Sequence, residues 1–236
     1  MAALWWQSEA GRFGLGFTSR AAGNLAHHAG SGDAAAHRLQ LESELGVRPR
    51  AFRYLNQVHS AQVADASAAT GTVTADAWIS PSGSEPLAIL VADCLPVLFC
   101  GERVDGSQLS AAAHAGRSGL LSGVLEHTVA ALRQHGASGI TAWIGPGACA
   151  DCYEVPQEMF DQLTAARPAL ASQTRWGTPG LNLRAEARSV LETSAVTVFE
   201  ADGCTIEDPD LFSHRASSAG RGPEGRFAGL IWPLAP

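Results

Sequence analysis

Apolar and polar positions follow two different periods along this chain, and the switches between them mark its elements. Leu87 to Ala92 is a continuous apolar run, long enough for a buried strand and too short for a membrane helix. It stops at Asp93-Cys94, and Pro96 opposes continuation of the same ladder. Leu109 to Ala113 is a second such run, ending at His114-Ala-Gly116. From Ser118 the pattern turns helical: Leu121, Val124, Leu125, Thr128 and Leu132 share one stripe that Glu126, Arg133 and Gln134 avoid, and Gly136 is the expected stop. Asp33 caps an earlier helix carrying Leu39, Leu41 and Leu45 on its apolar side, closed by Gly46. Residues 156–166 and 182–194 also read as helices. Residues 51–59 read as a strand that delivers His59 at its end, and 140–144, 196–200 and 227–232 read as further strands. A glycine-rich loop near residues 23–32 carries Asn24, His27 and His28, and a late loop carries Phe212 to Arg215 and Gly220-Arg221. Interleaved strands and helices predict an α/β fold. No repeat, low-complexity tract or linker interrupts residues 1–236, so the sequence marks no domain boundary, and the length suits one large domain or two small ones.

Composition narrows the chemistry. A hydrophobic content of 46% supports a sizeable core. A net charge of −7 and a pI near 5.6 argue against a nucleic-acid or anionic-membrane partner. All sixteen basic residues are Arg, which excludes a Schiff-base lysine, a P-loop lysine and a lysine base. Any bound anion must be held by Arg or protonated His. The N-terminal residues lack a basic segment followed by a long apolar one, so a cytoplasmic protein is expected. Five cysteines make an odd count in a long chain, which favours free thiols. Cys149-Ala-Asp-Cys152 has C-x-x-C spacing but no second such pair for a structural zinc site; it reads as a redox-active pair or as two loop thiols near a site, and no disulfide is expected between them.

An ionisable pair such as Asp93-Cys94 at the end of a buried strand needs a partner or a metal. His59, Cys94 and His114 each close a predicted strand, so three strand ends can converge without a local motif. Imidazole, thiolate and imidazole form a ligand set for catalytic zinc with one open position. Spacing leaves two other readings open: Cys94 as a nucleophile activated by His114 or His59 without metal, and unrelated structural roles. The order strand, His114, glycine turn, helix places backbone N–H groups where an anion such as phosphate would be favoured.

The series Asn24-Leu25, Gln57-Val-His59, Ala75-Asp-Ala77, Ala92-Asp-Cys-Leu-Pro-Val97, His114-Ala-Gly116, Ile144-Gly-Pro146, Cys152-Tyr-Glu-Val155, Phe212-Ser213 with Arg215, and Gly220-Arg221 closely resembles the laccase-domain family. That family is also called polyphenol oxidase, purine nucleoside phosphorylase or peptidoglycan editing factor. The resemblance spans nearly the whole chain. It implies a single α/β domain, a layered sandwich of mixed β-sheets flanked by helices over residues 1–236, with a zinc held by His59, Cys94 and His114; two His and one Cys would alternatively suit copper. It further implies Cys94, Asp93 and His114 as catalytic residues, with Asp93 a proton carrier or an orienting group. Asn24, Gln57, Tyr153, Arg215 and Arg221 would bind a purine nucleoside and phosphate in a monomer or weak homodimer. The implied reactions are phosphorolysis of adenosine, inosine, guanosine and methylthioadenosine, and deamination of adenosine. Polyphenol oxidation and a cell-wall editing role are the alternatives. Where the family has His-Ala-Gly-Trp-Arg-Gly, this chain has His114-Ala-Gly-Arg117-Ser118-Gly119, which moves an arginine by one position.

Overall fold

The computed structural model describes residues 3–234. The predicted apolar runs become neighbouring strands in two different sheets. Leu87–Val91 is the edge of a four-stranded sheet whose other members are Phe227–Pro233, Phe13–Thr18 and Leu4–Ala10. The chain then turns through residues 92–94 and enters a six-stranded mixed sheet as Leu95–Glu102, with Pro96 near the start of this strand. The new strand belongs to a different sheet, so the ladder of Leu87–Val91 does stop before Asp93-Cys94, in line with the expectation that Pro96 opposes its continuation. Position 96 tolerates proline because the neighbouring Gly139–Ile144 ladder starts only at Val97, and the Pro96 carbonyl still accepts the Gly145 N–H at 2.8 Å.

Side-chain alternation sorts these strands into layers. Leu87, Ile89 and Val91 pack between the sheets with Phe13, Phe17, Trp78 and Leu98, whereas Ala88 and Leu90 face outward onto Leu25, Leu41 and Phe52. On the far side of the six-stranded sheet, Val97, Phe99, Ala111 and Ala113 meet Leu125, Val129, Leu132, Ala187 and Leu191 of two helices. The result is a mixed α/β sandwich of helix, sheet, sheet and helices. No helix among the described residues is long and apolar enough to cross a membrane.

Helices Gln157–Ala166 and Leu183–Thr193 and strands Gly139–Ile144, Thr197–Glu200 and Phe227–Pro233 lie where the periods placed them. Four details differ. The helix read from Ser118 is two, Arg117–Leu121 and Val124–Gln134, broken at Gly123, whose φ of +91° leaves the helical region. Helix Ala34–Glu44 buries Leu41 but leaves Leu39 51% exposed, because its packed face is narrower than the leucine spacing suggested. Residues 51–59 give only the two-residue strand Leu55–Asn56, with His59 in the loop beyond. The loop read at Phe212–Arg215 instead opens a short helix, His214–Ser218, capped by the Ser213 hydroxyl.

Leu98 is fully buried between the sheets. Leu98→Ala is expected to lower the unfolding free energy by about 2–5 kcal/mol, a sum of lost transfer energy and residual cavity. Urea unfolding measures it, and a loss under about 1 kcal/mol would show that the two sheets do not share one packed interior.

Candidate functional site

Asp76 precedes strand Ala77–Ser80, which pairs with the His114 strand through Ala77 opposite Ala113. Its side chain is fully buried, so the carboxylate must be met by donors. It accepts the backbone N–H groups of Val58, His59 and Ser60 at 3.2, 3.0 and 2.6 Å and the Ser60 hydroxyl at 2.7 Å. It also accepts His114 Nδ1–H at 2.8 Å, while its own main-chain oxygen receives the His114 N–H at 2.7 Å. Three successive N–H groups can close on one anion only if the loop curls, and His59 accordingly has φ of +61°. Asp76 thus fixes both histidines, one through its ring and the other through its backbone. A carboxylate can only accept, so Nδ1 carries the hydrogen and Nε2 is left for the cluster.

Cys94 lies in the turn between the two sheets, with Sγ 3.7 Å from His59 Nε2. The His59 and His114 rings meet edge to face with centroids 4.7 Å apart. One donor atom from each of His59, Cys94 and His114 lies within 4.8 Å of the others. His114 is buried, Cys94 is partly exposed and His59 is exposed. Gly116 completes the packing: a Cβ there would stand 2.6 Å from His59 Cδ2 and 2.9 Å from Cys94 Sγ, so any side chain would displace the cluster.

The charges agree with this geometry. Burial opposes ionisation of Cys94, but hydrogen bonds from His114 and His59 outweigh it and bring the thiol down to about 6. Burial likewise opposes charge on His114, yet its bonds to Asp76 and Cys94 raise it to about 9. Asp76 is held well below the usual carboxylate range: burial works against this, and the bonds to His114 and Ser60 prevail. Without metal, the pair is therefore thiolate and imidazolium between about pH 6 and about pH 9. Two imidazoles and a readily ionised thiol fit a divalent metal of zinc or copper type.

The cluster opens into a cavity of about 390 Å³ that Gln57, Asp93, Tyr153 and Arg215 also line. The Gln57 amide donates to the Leu90 carbonyl at 2.7 Å and accepts the Leu90 N–H at 2.8 Å, which satisfies the end of that edge strand. Asp93 has φ of +85°. One of its oxygens accepts the Thr205 hydroxyl and the other the Arg215 N–H, both at 2.7 Å. His59 and Asp93 are thus two of the three non-glycine residues with positive φ among those described, a concentration of backbone strain at this site. Arg215 places its guanidinium carbon 5.0 Å over the Tyr153 ring and donates Nη1–H to the Glu154 carbonyl at 3.0 Å.

Two expected substrate contacts fall elsewhere. Asn24 is buried and ties its own loop together through Ala26, Ala29 and Arg226, outside the residues that line the cavity. Arg221 is exposed and does not line it either. Arg117, the displaced arginine, points to the Met159 sulfur. The sequence reading assigned no role to Asp76, nor to Arg226, His28 and His214, which line the cavity; the signal for Asp76 was its place in Ala75-Asp-Ala77. In metal-depleted protein, Cys94 alkylation by iodoacetamide should rise with a midpoint near pH 6, and Asp76→Asn should move it upward by weakening the imidazolium. A midpoint near 8.5, the ordinary thiol value, would refute the thiolate–imidazolium pair.

Residues 14–234 match the model of a family described as multi-copper polyphenol oxidoreductase laccase. A purine nucleoside phosphorylase of Streptomyces coelicolor is 39% identical over 207 residues, covering 85% of this chain and 83% of that protein. A purine nucleoside phosphorylase of Mycobacterium tuberculosis is 36% identical over 216 residues, covering 89% and 84%. A crystal structure of a Neisseria meningitidis protein has a TM-score of 0.82 at 31% identity, covering 99% of this chain and all of that one. YlmD from Geobacillus stearothermophilus, with a TM-score of 0.78 at 24% identity, shares the fold. The match over almost the whole described chain, together with relatives above 30% identity, shows that this protein belongs to the multi-copper polyphenol oxidoreductase laccase family.

Proposed function

We propose that this chain is a single-domain, zinc-dependent purine nucleoside phosphorylase that also deaminates adenosine, acting in the cytoplasm as a monomer or weak homodimer. Its substrates on this reading are adenosine, inosine, guanosine and methylthioadenosine. The observation that carries the reading is that one cavity joins the His59–Cys94–His114 donor set to Arg215 stacked on Tyr153. The names of the relatives point the same way. A volume of about 390 Å³ suits a small molecule of nucleoside size.

Phosphorolysis joins a phosphate oxygen to ribose C1′ as the bond from C1′ to the purine nitrogen breaks, and the leaving purine takes up a proton. The chain's part is binding and orientation. Arg215 is held from three directions, by Asp93 on its N–H, by the Glu154 carbonyl on Nη1 and by the Tyr153 ring. Such restraint lowers the entropy lost on gripping phosphate. Arg226 lines the same cavity and offers a second planar fork. Tyr153, Leu55, Leu90 and Val91 provide the apolar wall for a base. With both oxygens engaged by Thr205 and Arg215, Asp93 acts on this reading by positioning Arg215. Zinc bound by His59, Cys94 and His114 would supply Lewis acidity and a water acidified towards pH 7, the chemistry that deamination needs. The copper oxidase reading asks for a histidine-rich multinuclear cluster; beyond the ligand pair, His28 and His214 are the histidines that line this cavity.

Product analysis of inosine and adenosine with and without phosphate tests the reading. Hypoxanthine formed from inosine only with phosphate, and inosine formed from adenosine, are the expected results. No turnover of either nucleoside by zinc-replete protein would overturn it. Arg215→Ala should reduce kcat/KM for phosphate by about tenfold or more, the weight of a charge-assisted hydrogen bond. Arg221→Ala, at a side chain that does not line the cavity, should change it by less than about twofold.

A further inference from the structure

A second cluster of metal-ligating side chains lies outside the cavity. One donor atom from each of Cys149, Cys152, Cys204 and Glu207 lies within 4.8 Å of the others. The sequence offered C-x-x-C without a second pair, and the fold supplies the missing half from a segment about fifty residues later. Two tight turns face each other here. In the first, the Cys152 N–H bonds to the Cys149 carbonyl at 3.1 Å; in the second, the Glu207 N–H bonds to the Cys204 carbonyl, also at 3.1 Å. Each turn brings its first and fourth side chains to one side. A parallel bridge between Gly147 and Cys204 docks the turns, and the Thr205 N–H bonds to the Gly147 carbonyl at 3.1 Å. All three cysteines are free.

We propose that Cys149, Cys152, Cys204 and Glu207 bind a structural zinc ion, distinct from any metal at His59, Cys94 and His114. Three sulfurs and one carboxylate make a closed four-ligand set, and soft thiolates select zinc over magnesium or calcium. Two paired turns with i, i+3 ligands are how a chain presents four donors with little loss of backbone freedom. Binding releases the thiol protons and leaves net negative charge. Arg175 is placed to offset that charge: it pairs with Glu207 and donates Nη2–H to Cys152 Sγ at 3.3 Å. The site also braces the cavity. Tyr153 directly follows Cys152, and Thr205, which follows Cys204, holds the Asp93 carboxylate beside Cys94.

The inference does not rest on the proposed activity, and its test does not use it. Protein purified under reducing conditions without chelator is measured for zinc per chain by elemental mass spectrometry. About two equivalents are expected for the wild type, and about one each for Cys94→Ser and for Cys149→Ser with Cys204→Ser. About one equivalent of zinc retained in Cys94→Ser supports the second site even where the other variant does not fold. Cys94→Ser without zinc would overturn it. Alkylation gives an independent reading on the native chain. Cys149, Cys152 and Cys204 should be protected in zinc-loaded protein and become reactive on chelation, then protected again when zinc alone is added back. Equal labelling with and without zinc, or a disulfide among these three cysteines, would overturn the proposal.

Discussion

The site depends on one buried carboxylate. Asp76 is fully buried, so its oxygens can be stable only among donors, and the chain supplies these from two distant segments. The 58–60 loop curls to present successive N–H groups, and that curl turns the His59 ring towards Cys94. His114, tied to the same carboxylate through its ring, has one nitrogen committed and the other available. Buried charge of this kind contributes little net stability compared with an apolar replacement. What it contributes is uniqueness of geometry, since few arrangements of these segments satisfy every oxygen. The acidity of Cys94 follows from the same contact, through His114.

How far the sequence could be read depended on how local each signal was. Cys94 and His114 were legible because each puts a reactive group at the edge of an apolar run, and buried runs ending in ionisable residues are rare for physical reasons. The α/β class was legible from the same runs and from the helical stripes, whereas the layered sandwich was implied by the family resemblance alone. His59 was expected at the end of a strand; the structure gives it a loop, because Asp76 draws off the N–H groups that a ladder would have used. Asp76 itself left no periodic trace, since its partners sit sixteen to eighteen residues earlier and thirty-eight later. The break at Gly123 was hidden because the apolar stripe continues in phase across it. Arg221 and Asn24 matched motif positions without reaching the cavity, whereas Arg226 reached it without notice. Motif order records which segments matter; the direction of a long side chain is decided by packing that spacing does not encode. The partnership of Cys204 and Glu207 with the C-x-x-C turn is a tertiary fact of the same sort.

The seam between the sheets has a mechanical consequence. Residues 92–94 are the joint through which the chain leaves the four-stranded sheet for the six-stranded one, and Cys94 lies in that joint. His114 rides on the six-stranded sheet and His59 on the loop that Asp76 holds beside it. The distance between the sulfur and the two rings is therefore a gauge of how one sheet slides over the other. Interdigitated interiors resist such sliding and yield in discrete steps. An ion clasped across the joint would lock the slip plane, and its loss would be felt as shear between the layers well before any strand unravelled.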